Sequence, residues 1–169
     1  MSNSQSPLRL NVGFIVHQTI GYSRNFDFDV PQIHIKPDLI LRDLLGTVGV
    51  SRTPQGLLVR VKMKAKISAE CVRCLSDFDQ DLDVDFSELY AFNRKSVTES
   101  GLILPEDGKI DLGPLLREFM FLEVPIKPLC RPDCKGLCPE CGENLNENKC
   151  NHPPSTGDSR FDVLKALRS

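Results

Sequence analysis

The stretch that decides the fold is residues 57–90, LLVRVKMKAKISAECVRCLSDFDQDLDVDFSELY. On either side of a cysteine pair, residues 57–67 and 78–90 alternate apolar and polar side chains. This period of two is typical of half-buried strands. Residues 71–74, CVRC, have the right length for a hairpin loop. The sequence therefore predicts a long antiparallel hairpin with the cysteine pair at its tip.

The charges on these two strands predict how they pair. If Glu70 lies opposite Leu75, four basic residues face four aspartates: Arg60 with Asp85, Lys62 with Asp83, Lys64 with Asp81 and Lys66 with Asp79. The opposite face then carries an apolar row, which requires a core beneath it. Because the aspartates neutralise the basic stripe, we interpret it as a solvated ion-pair ladder rather than a phosphate-binding surface.

The flanking sequence predicts further strands and two helices. We interpret residues 8–30 as two strands of an edge hairpin, whereas residues 39–45 fit either a short strand or a helical turn. A long helix is predicted to begin with Asp111 as its N-cap and to end before Pro125. Its apolar stripe consists of Leu112, Leu115, Leu116, Phe119 and Leu122. Arg117 and Glu118, off this stripe or at its border, are interpreted as a solvated face or a local ion pair rather than as catalytic residues. A short helix over residues 159–167 must dock on the rest.

The predicted fold class is α+β, with a mainly antiparallel twisted sheet, one long and one short helix and a C-terminal zinc-knuckle segment. The sequence leaves open whether the sheet closes partly into a barrel. We expect a β-rich domain with its covering helix over residues 1–126 and a cysteine-rich metal-binding segment over residues 127–152. A C-terminal helix over residues 153–169 is expected to dock on the same unit. A chain of 169 residues with 40% hydrophobic and 26% charged residues is typical of one compact globular unit.

Charge and targeting signals narrow the function classes. The net charge of −2 provides no global attraction to nucleic acid or to an anionic membrane. No apolar run reaches the length of a membrane span, and the polar first ten residues lack an export signal. We therefore expect a cytoplasmic protein, in which thiols stay reduced and metal binding is the favoured role for cysteines.

Eight side chains have the chemistry and spacing of metal ligands. They are Cys71, Cys74, Cys130, Cys134, Cys138, Cys141, Cys150 and His152. Eight such ligands make two tetrahedral sites of the kind that structural Zn²⁺ occupies. The run 138–142, CPECG, has the form of a zinc knuckle, because its two thiols can reach one ion and its glycine permits a tight turn.

Two divisions of these ligands are open. The first joins Cys71 and Cys74 to Cys130 and Cys134, and leaves Cys138, Cys141, Cys150 and His152 as a second site. The other groups Cys130, Cys134, Cys138 and Cys141. We favour the first division, because a metal would then tie the hairpin tip to a distant segment. The sequence shows no Ser-His-Asp set in a nucleophile context and no glycine-rich phosphate loop, which predicts a protein that is not an enzyme.

Several of these motifs resemble one family. Residues 71–75, CVRCL, residues 110–112, IDL, and residues 134–146, CKGLCPECGENLN, closely resemble the YceD-like family, called large ribosomal RNA subunit accumulation proteins. The resemblance spans residues 14–167. It implies a cytoplasmic, non-enzymatic ribosome-biogenesis factor that supports the accumulation or processing of large-subunit ribosomal RNA.

The expected cofactor follows from the number and spacing of the candidate ligands, and the expected partners follow from this resemblance together with the charge pattern. We expect one or two structural zinc ions, and a large-subunit precursor or a ribosomal protein as the partner. Direct contact with ribosomal RNA is expected to be weak, and no contact is expected with membrane or DNA. The alternative is a rubredoxin-like iron electron carrier, since four thiolates also accept iron.

Overall fold

The structure is a computed structural model that describes residues 7–151. Within this range the chain forms two compact units, one of residues 7–68 and 79–126 and the other of residues 69–78 and 127–151. The elements are β1 (Arg9–Asn11), α1 (Gly13–Val16), β2 (Ser23–Ile35), β3 (Leu39–Arg52), β4 (Gly56–Glu70), β5 (Asp77–Ala91), β6 (Lys109–Asp111) and α2 (Gly113–Glu123), with a short 3-10 helix over Arg94–Ser96. No helix in residues 7–151 is long and apolar enough to cross a membrane.

A four-stranded sheet in the order β2-β3-β4-β5 forms the first unit, with β1 and β6 as a separate two-stranded sheet. The pairs β1–β6, β2–β3 and β3–β4 are antiparallel. The predicted mainly antiparallel sheet with helices is therefore confirmed. Among the described residues the larger sheet is open rather than closed into a barrel, because β2 and β5 are its edge strands.

Helix α2 covers the apolar face of this sheet. Its Leu116 and Met120 are fully buried in the same cluster as Val48 and Val59 of the sheet. The ring of Phe119 stacks on Phe86 of β5, with the ring centroids 3.9 Å apart. Burial of such apolar surface is the main favourable contribution to folding. The helix therefore belongs to the core of the first unit.

The ends of α2 are close to the prediction, but one member of its stripe is wrong. The predicted N-cap Asp111 is wrong, because Asp111 is the last residue of β6 and Leu112 is the N-cap of α2. Asp111 Oδ1 still accepts a hydrogen bond from the backbone N–H of Gly113 at 2.9 Å. Leu122 is 78% exposed, because Met120 rather than Leu122 continues the four-residue spacing of the buried side chains. Arg117 pairs with Asp38 at 2.8 Å, a residue 79 positions away in the chain rather than a neighbour on the helix.

The predicted edge hairpin over residues 8–30 is wrong. Strand β1 pairs with β6 from far along the chain, residues 13–16 are helical, and β2 pairs with β3. The first pairing depends on a close approach of Gly13 and Gly108, since a Cβ on Gly108 would lie 2.5 Å from the Cα of Gly13. Such a long-range contact leaves no local signal in the alternation of residues 8–30.

A β-bulge explains why residues 39–45 were ambiguous. They belong to strand β3, but its register against β4 shifts between Arg42 and Leu45, where Asp43 has a φ of 50°. The extra residue moves burial from the odd positions, such as Leu41, to even positions beginning with Leu44. The alternation therefore breaks in the middle of one continuous strand.

The ion-pair ladder is present, but its pairs differ from those predicted. Lys62 contacts Asp85 at 2.9 Å and Lys64 contacts Asp83 at 3.0 Å, so each partner lies two residues further along β5. The register differs because the residues that close the loop differ. The N–H of Cys71 donates to the carbonyl of Ser76, so these two residues lie opposite each other, whereas the prediction placed Glu70 opposite Leu75. Since a shift of two residues preserves the face, the ladder stays exposed. Two further pairs are Lys66 with Asp43 and Arg42 with Asp79.

The close packing of β3 on β4 at Gly46 gives a first testable prediction. A Cβ at Gly46 would lie 2.1 Å from the carbonyl oxygen of Lys62 and 2.7 Å from the Cα of Met63. Because these are backbone atoms in a paired strand, we expect Gly46→Ala to lower the free energy of unfolding by about 3 kcal/mol. Urea unfolding followed by far-ultraviolet circular dichroism measures this change.

Gly49→Ala is the matched control on the same strand. The nearest atom to its added Cβ is Asn25 Oδ1 at 3.1 Å, the end of a side chain that can rotate away. We expect a loss below about 1 kcal/mol. Equal losses for the two variants would contradict the packing of Gly46 described above.

Candidate metal centres

Four thiols from two distant segments meet in the second unit. Cys74 and Cys130 are 56 residues apart in the chain with their Sγ atoms 3.7 Å apart, and Cys71 and Cys134 are 63 residues apart with theirs at 3.8 Å. All four Sγ atoms lie within 4.8 Å of one another. A tetrahedral ion with bonds to sulfur of about 2.3 Å separates its sulfur ligands by about 3.8 Å. The cluster therefore has the dimensions of a four-thiolate metal site.

The hairpin loop sets the positions of the first two thiols. The N–H of Leu75 donates to the carbonyl of Cys71 at 2.9 Å, and Leu75 has a φ of 57°. The N–H of Val72 donates to the carbonyl of Pro128 at 3.0 Å. These hydrogen bonds hold the loop against the segment that precedes Cys130.

A second set of hydrogen bonds fixes the segment that carries Cys134. The N–H of Leu137 donates to the carbonyl of Arg73 at 3.1 Å, and the guanidinium of Arg73 donates to the carbonyl of Cys134 at 2.8 Å. Arg73, between the two loop cysteines, therefore serves both as backbone acceptor and as side-chain donor. Gly136 has a φ of 77°, a conformation that favours glycine, and allows the two backbones to approach.

The thiols are shielded from solvent. Cys71, Cys74 and Cys134 are at most 5% exposed and pack with Phe78, Leu129 and Leu137. No cysteine of the chain is in a disulfide. Structural zinc sites have this closed character, whereas catalytic sites keep one position open to water or substrate.

The electrostatics of the cluster favour thiolates at the hairpin loop. Hydrogen bonding to the backbone N–H of Cys130 lowers the pKa of Cys71 to about 6, and the Ser76 hydroxyl and N–H lower the pKa of Cys74. Burial, and then the neighbouring thiols, raise the pKa of Cys130 to about 12. All four can ionise together only if a cation compensates the mutual repulsion of their charges.

A second cluster contains Cys138, Cys141 and Cys150, whose Sγ atoms also lie within 4.8 Å of one another. The N–H of Gly142 donates to the carbonyl of Cys138 at 2.9 Å, and Gly142 has a φ of 74°. Backbone N–H groups of Cys141 and then Glu140 lower the pKa of Cys138. The turn thus presents backbone N–H groups to the sulfur of Cys138.

The thiols are grouped as in the first of the two divisions considered above. Cys130 and Cys134 lie with Cys71 and Cys74, not with Cys138 and Cys141. The predicted ligand His152 and the predicted helix over residues 159–167 lie outside the described residues. The arrangement supplies two places where a metal ion could be held, one with four thiols and one with three from the described range.

One polar contact of the first cluster was missed by sequence reasoning. The Nδ2 of Asn146 donates a hydrogen bond to Cys134 Sγ at 3.3 Å. An asparagine amide is not a typical metal ligand and follows no strand or helix period, so neither ligand chemistry nor periodicity singles it out. The only available signal was its position in the run 134–146 that resembles the YceD-like family.

The sheet and the clustered thiols define a small β-rich protein with two candidate metal centres. The family model described as large ribosomal RNA subunit accumulation protein YceD matches residues 59–168, well over half of the chain. The chain therefore belongs to the YceD family. The matched range includes both cysteine clusters.

Individual relatives cover parts of the chain. An uncharacterized protein of Mycobacterium tuberculosis is 36% identical over 102 residues, which are 57% of this chain and 48% of that protein. The large ribosomal RNA subunit accumulation protein YCED homolog 1, chloroplastic, of Arabidopsis thaliana is 38% identical over 64 residues, 38% of this chain and 20% of that protein. The uncharacterized protein YlbN of Bacillus subtilis is 25% identical over 99 residues, 57% of this chain and 58% of that protein.

The chain thus spans about half the length of the mycobacterial relatives that it matches. No solved structure matches the chain significantly.

Two glycines with similar backbone angles allow the packing of the cysteine-rich unit to be tested. A Cβ on Gly136 would lie 3.0 Å from the carbonyl oxygen of Arg73, whereas a Cβ on Gly142 would have no atom within 4 Å. Since both substitutions to alanine impose the same backbone strain, we expect Gly136→Ala to destabilise the unit by about 1 kcal/mol more than Gly142→Ala. Hydrogen exchange of the Leu137 amide, which donates to that carbonyl, measures the difference.

Faster exchange at Leu137 in Gly136→Ala than in Gly142→Ala is the expected result. Identical exchange rates in the two variants would contradict the close approach of Gly136 to Arg73.

Proposed function

We propose that this protein is a non-enzymatic ribosome-biogenesis factor that supports the accumulation or processing of large-subunit ribosomal RNA. Membership of the YceD family carries the proposal. The matched relatives in Arabidopsis thaliana and Zea mays are both named large ribosomal RNA subunit accumulation proteins. We propose that the protein acts in the cytoplasm, where it would meet ribosomes in assembly.

The second part of the proposal is that structural zinc holds the cysteine-rich unit. The spacing of 3.7 and 3.8 Å between sulfur atoms supports one four-thiolate ion at the first cluster. Cys138, Cys141 and Cys150 supply three ligands of a second ion, for which His152 is the fourth ligand that the sequence offers. Zinc accepts three thiolates and one imidazole, whereas a rubredoxin-like iron centre requires four thiolates. The mixed set therefore favours zinc over iron at the second cluster.

A structural rather than catalytic role for these thiols is supported by their surroundings. The sulfur atoms of the first cluster face one another, and three of the four cysteines are almost fully buried. A closed site of this kind contributes folding free energy and leaves no position for a substrate. We therefore assign the cysteines to holding the fold, and the ribosomal role to the surfaces that the fold presents.

The proposed partner is a large-subunit precursor or a ribosomal protein rather than naked RNA. Tight binding of RNA requires several lysine or arginine contacts to phosphate. On the sheet, Lys62, Lys64 and Lys66 are each paired with an aspartate, and the net charge of the chain is −2. The basic stripe is therefore largely neutralised, which favours recognition of protein or of a preassembled particle.

Metal analysis of the purified full chain tests the zinc proposal. We expect two zinc ions per chain by native and inductively coupled plasma mass spectrometry. Cys71→Ser removes one ligand of the first site and His152→Ala one ligand of the second, so each is expected to retain about one tightly bound ion. His17→Ala is the matched control and is expected to keep both ions.

A red protein with iron at the first cluster would instead support the rubredoxin-like alternative. A chain that binds no metal would contradict the zinc proposal.

Affinity purification from the cells in which the protein is made tests the ribosomal role. We expect large-subunit ribosomal RNA and proteins to be enriched over those of the small subunit, because the proposed partner is a large-subunit precursor. A gel-shift titration with isolated ribosomal RNA fragments at physiological salt is expected to show only weak binding. Nanomolar binding of those fragments in the absence of ribosomal proteins would refute the proposed partner. Equal recovery of large-subunit and small-subunit components in the affinity purification would refute the proposed role.

A further inference from the structure

Asn146 connects the two cysteine clusters. It lies between Cys141 and Cys150, which both belong to the second cluster, yet its Nδ2 donates to Cys134 Sγ of the first cluster at 3.3 Å. Its Oδ1 accepts the N–H of Lys135 at 2.8 Å. Both ends of this amide therefore bind the segment that carries a ligand of the other cluster.

Other hydrogen bonds hold the Asn146 side chain in this position. Asn144 Oδ1 accepts from the N–H of Asn146 at 3.1 Å and from its Nδ2 at 2.8 Å. Asn144 itself donates to Glu147 Oε1 at 3.0 Å. The N–H of Leu145 donates to the carbonyl of Gly136 at 2.9 Å, which adds a backbone link to the same segment. With both amide hydrogens and the amide oxygen engaged, the side chain is committed to one orientation.

We propose that Asn146 couples the two metal sites, so that loading of either site raises the affinity of the other. The inference rests on the zinc sites of the proposed function. A metal at the second cluster fixes Cys141 and Cys150, the two ends of the loop that carries Asn146. The loop has then already lost its conformational entropy, so the hydrogen bond from Asn146 to Cys134 forms at a smaller entropic cost.

The coupling also acts from the first site to the second. A metal at the first cluster fixes Cys134, whose Sγ accepts the hydrogen bond from Asn146 Nδ2 at 3.3 Å. Because Asn146 then has a fixed acceptor, the loop that positions Cys141 and Cys150 is already ordered when the second metal binds. Because coupling free energies are reciprocal, the affinity gain at one site equals the gain at the other.

The test measures zinc affinity at the first cluster in the full chain, by competition with a chromophoric chelator. Cobalt titration resolves the two clusters, because a four-thiolate site and a site with fewer thiolates differ in their absorption spectra. Cys141→Ser disables the second cluster, and we expect it to weaken the first site about tenfold, as loss of an outer-shell partner typically does. Asn146→Ala is expected to weaken the first site by at least as much.

A double-mutant cycle isolates the coupling. Once Asn146 is alanine, we expect Cys141→Ser to change the affinity of the first site less than twofold. Asn148→Ala is the matched control, since Asn148 lies in the same loop but donates to Glu143 Oε1 at 2.7 Å rather than to sulfur. It is expected to leave the tenfold effect of Cys141→Ser intact. Asn146→Asp keeps the shape of the side chain without its Nδ2 donor, and is expected to behave as Asn146→Ala does.

The outcomes separate this inference from the zinc proposal. If both clusters bind zinc but Cys141→Ser leaves the first site unchanged, the coupling is overturned and the zinc proposal stands. An effect of Cys141→Ser that persists in Asn146→Ala and in Asn146→Asp overturns the role of Asn146. If the unaltered chain binds zinc at neither cluster, both proposals fail.

Discussion

Four sulfur atoms within 4.8 Å of one another are the constraint on which the cysteine-rich unit depends. They bring the hairpin tip together with a segment 56 residues further along the chain. Mutual repulsion opposes four thiolates at such distances, and burial of Cys130 adds to this cost by raising its pKa. A divalent cation at this cluster would compensate the repulsion, so that the hydrogen bonds from Val72 to Pro128 and from Leu137 to Arg73 would add their full contribution to the stability of the unit.

The alternation of apolar and polar residues and the spacing of the cysteines predicted those features of the structure that follow from side-chain type. Alternation located the hairpin, and the cysteine spacing identified the side chains that cluster. The predicted register of the ladder was wrong by two residues, because the loop closes at Cys71 and Ser76. A shift of two residues leaves each side chain on the same face of its strand, so the alternation of the sequence is the same for both registers. The bulge at Asp43 and the pairing of β1 with β6 depend on contacts distant in sequence, which local patterns do not specify.

The candidate site shows the same division between local and long-range information. Thiol pairs with two or three residues between them are visible in the sequence, and they define the loops that hold them. Asn146 has no such local signal. It matters only because the loop between Cys141 and Cys150 folds back and places its amide next to Cys134. For the proposed ribosomal role, the paired charges of the sheet and the buried thiols of the cysteine-rich unit favour a scaffold whose surfaces, rather than a reactive group, would engage the large-subunit particle.

Zinc X-ray absorption spectroscopy of the full chain tests the central claim most directly, since it reports the atoms bonded to the ion. We predict a shell dominated by sulfur at about 2.3 Å, with an average of about 3.5 sulfur atoms per zinc ion, because the first cluster offers four thiolates and the second three. A shell dominated by nitrogen and oxygen, or cysteines joined as disulfides in the metal-loaded protein, would contradict it.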